Sequence, residues 1–318
     1  MKKENSPIIE NIPRFFEFLD IEKGVSNKTQ ETYSRFLKSF ILFLEENNLR
    51  DLKPHQLTDE HVWKYRVYLS KRLNKRKGEP ITKRTRNYYL IALRALLNYF
   101  ADRNIQSLPS EKVKLAKESK EKTVKFLDLK QIEKLLLTPN NKTKTGLRDR
   151  AILETFFSTG LRVAELVSLN REQIKIREKP ETLEVSIIGK GGHPRIVYFS
   201  ERTVRAIYNY LKKRKDKEKA LFIRYRGPKD ASLRITPRSV ESIVKKYVKK
   251  AGLPLTTTPH TLRHSYATDL LAQGVDLRLI QEFLGHRNIA TTQIYTHITS
   301  QKLREVHQKF HSGKEMKE

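Results

Sequence analysis

From about residue 10 to residue 104 the apolar side chains recur every three or four positions and never alternate, which confines this part of the chain to packed helices. Ser26 stands as a cap before a first helix, whose single stripe carries Tyr33, Phe36, Leu37, Phe40, Ile41 and Leu44. Thr58 and His61 open a second helix with Trp63, Val67 and Leu69 turned inward. Thr82 starts a third, burying Tyr89, Leu93, Leu96, Leu97 and Phe100. These segments predict an all-helical domain over residues 1–110.

A different pattern follows. Residues 107–123 are polar, charged and short of large apolar side chains, and the linker between two domains is placed at 111–123. Residues 124–318 mix element types. Helices are expected from Leu129, over 148–157, 203–213 and 237–251, then three short ones after Pro259, with Gly274 and Gly285 as stop signals. Residues 183–188 and 195–199 predict a β-hairpin around the glycine-rich turn that contains Lys190. The fold class is therefore mainly α with one small β-hairpin, an α+β arrangement of two domains, as 318 residues also suggest.

Charge narrows the function. With 65 basic and 36 acidic side chains the formal net charge is +29, and such a chain repels itself unless it meets a polyanion. The excess is spread over both parts, 23 basic against 14 acidic residues up to position 115 and 42 against 22 beyond it, as a clamp closing on DNA from two sides requires. Its densest stretch is Lys71, Arg72, Lys75, Arg76, Lys77, Lys83, Arg84 and Arg86, across a turn at Gly78 and Pro80. As a solvated face this run needs no ligand, whereas on a duplex it would grip phosphates. The absence of cysteine excludes disulfides and thiolate chemistry. No run is apolar enough for a leader or a membrane span, so a soluble, cytoplasmic protein is expected.

Four segments bear reactive side chains. In STGLRVAEL, Arg162 begins a helix and Glu165 lies one turn on; alone, they read as a surface ion pair. Lys190 sits among Gly189, Gly191 and Gly192, where most such loops are only turns. PHTLRHSYATDLL sets His260 and Arg263 on one helical face, and EFLGHRNIATTQIYTH carries His286 and Tyr295. Any one of 13 tyrosines is ordinarily core or interface. Together, two Arg, one Lys, two His and a Tyr without clustered carboxylates suit transesterification at a phosphodiester, whose transition state gathers charge on the nonbridging oxygens. Two-metal nucleases need acidic ligands instead, and His260 with His264 lacks the glutamate of a zinc-protease helix.

TGLRVAEL, GKGG, HTLRHSYATDLL, LGH and TTQIYTH stand in the order and at the spacing of the tyrosine recombinases, and the chain resembles the Xer subgroup of that phage integrase-like family, XerH-like single recombinases included. The resemblance is strong from Arg148 to His311 and looser before. It implies a helical core-binding, SAM-like domain and a catalytic domain with a C-terminal tail helix. It also implies Tyr295 as nucleophile, Arg162 and Arg263 on the scissile phosphate, and Lys190 as the acid for the leaving 5′ oxygen. His260 would assist proton transfer from Tyr295, His286 would support the phosphate, and Glu165 would orient its neighbours. No metal, ATP or other cofactor is implied. The implied partners are duplex DNA with paired sites, three further copies in a homotetramer, and the translocase FtsK. The implied task is resolving chromosome dimers at a dif-like site through a Holliday junction. A mobile-element integrase would use the same chemistry. A noncatalytic DNA-binding protein and a type IB topoisomerase are the competing classes. The tail stripe Leu303, Val306 and Phe310 is expected to dock on a neighbouring protomer.

Overall fold

Among the described residues, capping side chains set most helix starts. The computed structural model describes residues 1–74, 78–117, 125–174, 182–189, 192–228 and 230–285. Lys75, Arg76, Lys77, Lys190, His286, Tyr295 and the tail stripe Leu303, Val306 and Phe310 lie outside the described residues. The chain divides into two units, Met1–Glu121 and Lys122–Glu318.

The first unit holds α1 (Ile8–Ile21), α2 (Asn27–Glu46), α3 (Asp59–Lys71) and α4 (Lys83–Asp102). Thr58 and Thr82 cap α3 and α4 through their hydroxyls, accepting from the His61 and Thr85 amides. Ser26 occupies the capping position of α2, yet its hydroxyl meets the Thr29 hydroxyl at 3.0 Å rather than a backbone amide. Helix α1 is an addition to the three helices expected. Pro13 lies inside it, while the Asn11 amide ties the helix start to the Pro7 carbonyl at 2.9 Å. The core joins Phe15, Phe40, Tyr65, Leu93, Leu96 and Phe100, all fully buried, each worth about 1.5–3 kcal/mol of burial.

One expected core residue is outside. Trp63 is 61% exposed, because the buried stripe of α3 runs through Val62, Tyr65 and Leu69 and a residue one step off that stripe is turned about 100° away. The Arg66 guanidinium covers the ring at 5.6 Å instead. Beyond α4, Val113 is fully buried, and the Asn87 amide exchanges two hydrogen bonds of 2.9 Å with the backbone of Ala116. The polar stretch thus begins packed against the first unit, and residues 118–124 lie outside the described residues.

The second unit holds α5 (Leu129–Leu137), α6 (Lys144–Thr159), α7 (Val163–Ser168), β1 (Leu183–Ile188), β2 (Pro194–Phe199), α8 (Glu201–Lys212), α9 (Pro237–Lys250), α10 (Pro259–Ala272) and α11 (Leu277–Leu284). Helix α6 is its axis, packed by α5, α8, α9, α10 and β2, so Ala151, Ile152, Leu153 and Phe156 are buried on several sides. Its buried Asp149 is compensated: Arg148 Nε and the Tyr247 hydroxyl donate to it, both at 2.9 Å. The two strands pair antiparallel with Leu183 opposite Phe199, Val185 opposite Val197 and Ile187 opposite Arg195. Val185, Ile187, Val197 and Phe199 form the buried face, by the two-residue period of a strand. Of the short helices expected after Pro259, α10 and α11 are described.

Candidate active site

The site grows from two helix ends and the hairpin. Helix α6 stops at Gly160, whose left-handed backbone (φ 58°) turns the chain sharply into α7. Arg162 caps α7, and its own amide donates to Glu165 Oε2 at 2.8 Å, the return half of a capping box. The Arg162 side chain adds a second bond from Nη1 to Glu165 Oε1 at 2.8 Å, and its Nη2 donates to the carbonyl of Gly285 at 3.2 Å.

Helix α10 brings the second arginine. Pro259 takes its first position behind the Thr258 cap, so His260 and Arg263 rise one turn apart from the helix start. Arg263 is only 1% exposed, and it donates from Nη1 to the Gly160 carbonyl at 2.6 Å and from Nη2 to the Leu284 carbonyl. The two guanidiniums therefore bond to consecutive carbonyls at the end of α11, where Gly285 (φ 61°) closes the helix. Arg162, Arg263 and His260 open on one cleft of about 700 Å³, which Glu241, Lys245 and Thr257 also line.

Titration follows from these contacts. Burial would raise the Glu165 carboxyl, but hydrogen bonds and charge from Arg195 and Arg162 outweigh it and hold the group at about 2. Partial burial, then Arg263 and Arg162, lower His260, which favours the neutral ring that can accept a proton. Its neighbour His264, edge-on at 4.4 Å between ring centroids, falls to about 4, chiefly through burial. Tyr266 packs near Gly160 and is pushed by burial up to about 12, so it is a poor phenolate source.

Arg162, Glu165, His260 and Arg263 are thus brought together, whereas Lys190, His286 and Tyr295 lie outside the described residues. Among the described residues no group of three or more His, Asp or Glu side chains is gathered as for a metal, and no helix is long and apolar enough to cross a membrane. In the first unit Lys71, Lys83 and Arg84 are exposed, and Arg84 donates to the Tyr88 hydroxyl at 3.2 Å. Arg86 is half-buried, and Arg72 donates to Ser39 and lies over Tyr89 at 5.4 Å. Arg195 was not singled out from the sequence. Its signal was the alternation of β2, which sets residues 195, 197 and 199 on the buried face, where a guanidinium requires an anion.

Residues 125–302 match the phage integrase family, and residues 12–104 match the phage integrase N-terminal SAM-like domain. Tyrosine recombinase XerD of Listeria innocua serovar 6a is 33% identical over 94% of this chain and 98% of its own length. Tyrosine recombinase XerC of Histophilus somni is 34% identical over 94% and 96%. In fold, the chain resembles the XerH site-specific recombinase bound to a palindromic difH substrate in a post-cleavage complex, with a TM-score of 0.71 at 21% identity over 99% and 98% of the two chains. Matched along nearly its whole length by these relatives, and by one family description in each of its two units, the chain belongs to the phage integrase family and, within it, to the Xer tyrosine recombinases.

Proposed function

We propose that this recombinase cuts and rejoins duplex DNA at specific paired sites through a covalent bond between Tyr295 and the 3′ phosphate. The observation that carries this reading is the convergence of Arg162, Arg263 and a His260 lowered toward its neutral form on one cleft. Two guanidinium forks match the nonbridging oxygens of a phosphodiester, and a neutral imidazole can take the phenol proton. Lys190 protonates the departing 5′ oxygen, His286 supports the phosphate, and Glu165 orients Arg162. Energy held in the phosphotyrosine bond serves religation, so ATP is not required, and these side chains need no metal for the step. Tyr266, pushed up to about 12, makes a weak competitor for the role of nucleophile.

The wider reading follows the relatives. Four copies act on two DNA sites and exchange strands through a Holliday junction, and chromosome dimers at a dif-like site are the favoured substrate, with FtsK as a partner. XerC and XerD relatives match about equally well, which leaves a single-recombinase system of the XerH kind and a mobile-element integrase as other uses of the same chemistry. The basic stretch from Lys71 to Arg86 supplies phosphate contacts. The protein works in the cytoplasm on the nucleoid.

The test begins by sequencing genomic fragments retained by the protein, from which the site is built as a nicked duplex. Wild type is expected to form an adduct that survives denaturation, and Tyr295→Phe to bind the duplex with near-normal affinity and form none. An adduct persisting in that variant assigns the nucleophile elsewhere. A noncatalytic DNA-binding protein yields no adduct even as wild type, and a topoisomerase yields the adduct without recombinant products.

A further inference from the structure

Glu165 poses an electrostatic difficulty for a phosphate site. A guanidinium paired with one carboxylate is nearly neutral a few ångströms away, and Arg162 donates to Glu165 at 2.8 Å. Left as a pair, the two would attract a phosphate poorly. Arg195 supplies the missing charge. It grips the same carboxylate with both arms of its fork, Nη1 to Oε1 at 2.8 Å and Nη2 to Oε2 at 2.9 Å. One carboxylate between two guanidiniums leaves one net positive charge. Since the Arg195 side chain is 11% exposed and that of Arg162 is 29%, that charge faces outward on Arg162.

The surroundings are shaped to hold Arg195 in place. It extends the buried face of β2 opposite Ile187, where the hydrophobic part of the hairpin ends. A Cβ at Gly285 would stand 2.9 Å from its Cδ, and one at Gly189 would stand 3.2 Å from its Nη1, so both glycines leave room for the side chain. Three segments, α7, the hairpin and the end of α11, thus meet on one guanidinium.

We infer that Arg195 is a positioning residue that neutralises Glu165, so that Arg162 keeps its full positive charge for the scissile phosphate. This rests on the phosphotransfer reading proposed above. The full-length wild type, Arg195→Met and the double variant Arg195→Met with Glu165→Gln are compared for the rate of adduct formation on the nicked duplex, for duplex binding and for thermal unfolding. The single variant is expected to slow about ten- to a hundredfold, as when a partner one step behind a metal's ligands is removed. Duplex binding should change little. The double variant should recover most of the rate, because glutamine still accepts from Arg162 without opposing its charge. An Arg195→Met protein as fast as wild type, or a double variant no faster than the single one, overturns the assignment. If Arg195→Met is unfolded at the assay temperature, Arg195→Lys carries the test: it retains the charge and is expected within about tenfold of wild type, whereas a loss of about a hundredfold or more overturns the assignment. Wild type forming no adduct overturns the recombinase reading itself, before any variant is compared.

Discussion

Lowering the pH should weaken the second unit through Glu165 in a way that Glu165→Gln abolishes. Burial opposes ionisation of this carboxyl, yet Arg195 and Arg162 bring it from an ordinary 4.5 to about 2. At about 1.4 kcal/mol for each tenfold change in proton affinity, the difference amounts to about 3 kcal/mol. Its sign is that of a depressed acid: the stabilisation is complete above the unfolded value near 4.5 and is lost as pH falls through the folded value near 2. At pH 3, about 2 kcal/mol should already be gone. With a urea dependence of about 2 kcal/mol per molar, the midpoint of wild type should fall between pH 7 and pH 3 by about 1 M more than that of Glu165→Gln. The variant has its own offset, since two guanidiniums lose a charged partner, but they stay protonated throughout this range and the offset does not vary with pH. Urea titrations followed by backbone circular dichroism measure the difference, with fluorescence of the single Trp63 reporting the first unit separately. Parallel pH profiles for the two proteins would mean that the carboxyl titrates normally and that the double arginine grip does not hold in solution.

Gly160→Ala should lower the melting temperature by about 5–15 °C. The left-handed backbone (φ 58°) penalises any side chain, and the new Cβ would lie 2.5 Å from Tyr266 Cδ1, together about 2–5 kcal/mol; an unchanged melt refutes the turn geometry. Arg263→Lys keeps the charge but cannot span the Gly160 and Leu284 carbonyls, so adduct formation should fall about a hundred- to a thousandfold while duplex binding persists. A lysine variant with wild-type cleavage refutes the fork. Lys190→Ala should slow cleavage about a hundred- to ten-thousandfold on ordinary DNA and recover when sulfur replaces the bridging 5′ oxygen, because a thiolate departs without an acid. An Arg162 variant should gain no such rescue, and equal rescue of both removes the acid role from Lys190.

What the sequence made legible was local. Thr58 and Thr82 mark helix starts because a hydroxyl three residues before an amide is enough to stop fraying, whatever lies elsewhere. The hairpin was legible because alternation is a property of six consecutive residues, and it was found within one residue of its bounds. Trp63 failed for a related reason: hydrophobicity says that a ring is better buried, but only the phase set by Val62, Tyr65 and Leu69 says which side of α3 is inside. Helix α1 lies largely within the stretch whose period reads as helical, but with Pro13 inside it no separate start or stop marks it out. Arg195 stands beside glycines that read only as a turn, yet its inward phase in β2 already required a buried anion. No local pattern could bring Arg162 to Arg263. Their meeting depends on the ends of α6 and α11 coming together, a result of packing across the unit.

That meeting also explains how two cations can wait for a substrate without collapsing onto each other's partners. The last carbonyls of a helix have no intrahelical donor and carry the negative end of its dipole. Gly160 and Gly285 end α6 and α11 with left-handed turns, and the carbonyls of Gly160, Leu284 and Gly285 accept from Arg263 and Arg162. Each guanidinium carries its N–H groups in one plane, so bonds to backbone carbonyls fix the plane of the fork. Arg162, Arg195 and Arg263 against the one carboxylate of Glu165 give this described cluster two net positive charges. A phosphodiester carries one negative charge at rest and approaches two when a phenolate adds to it. In the proposed reaction this fixed positive charge favours the more negative transition state over the bound DNA, and because the forks are already held by helix ends, little reorganisation is required when that charge appears.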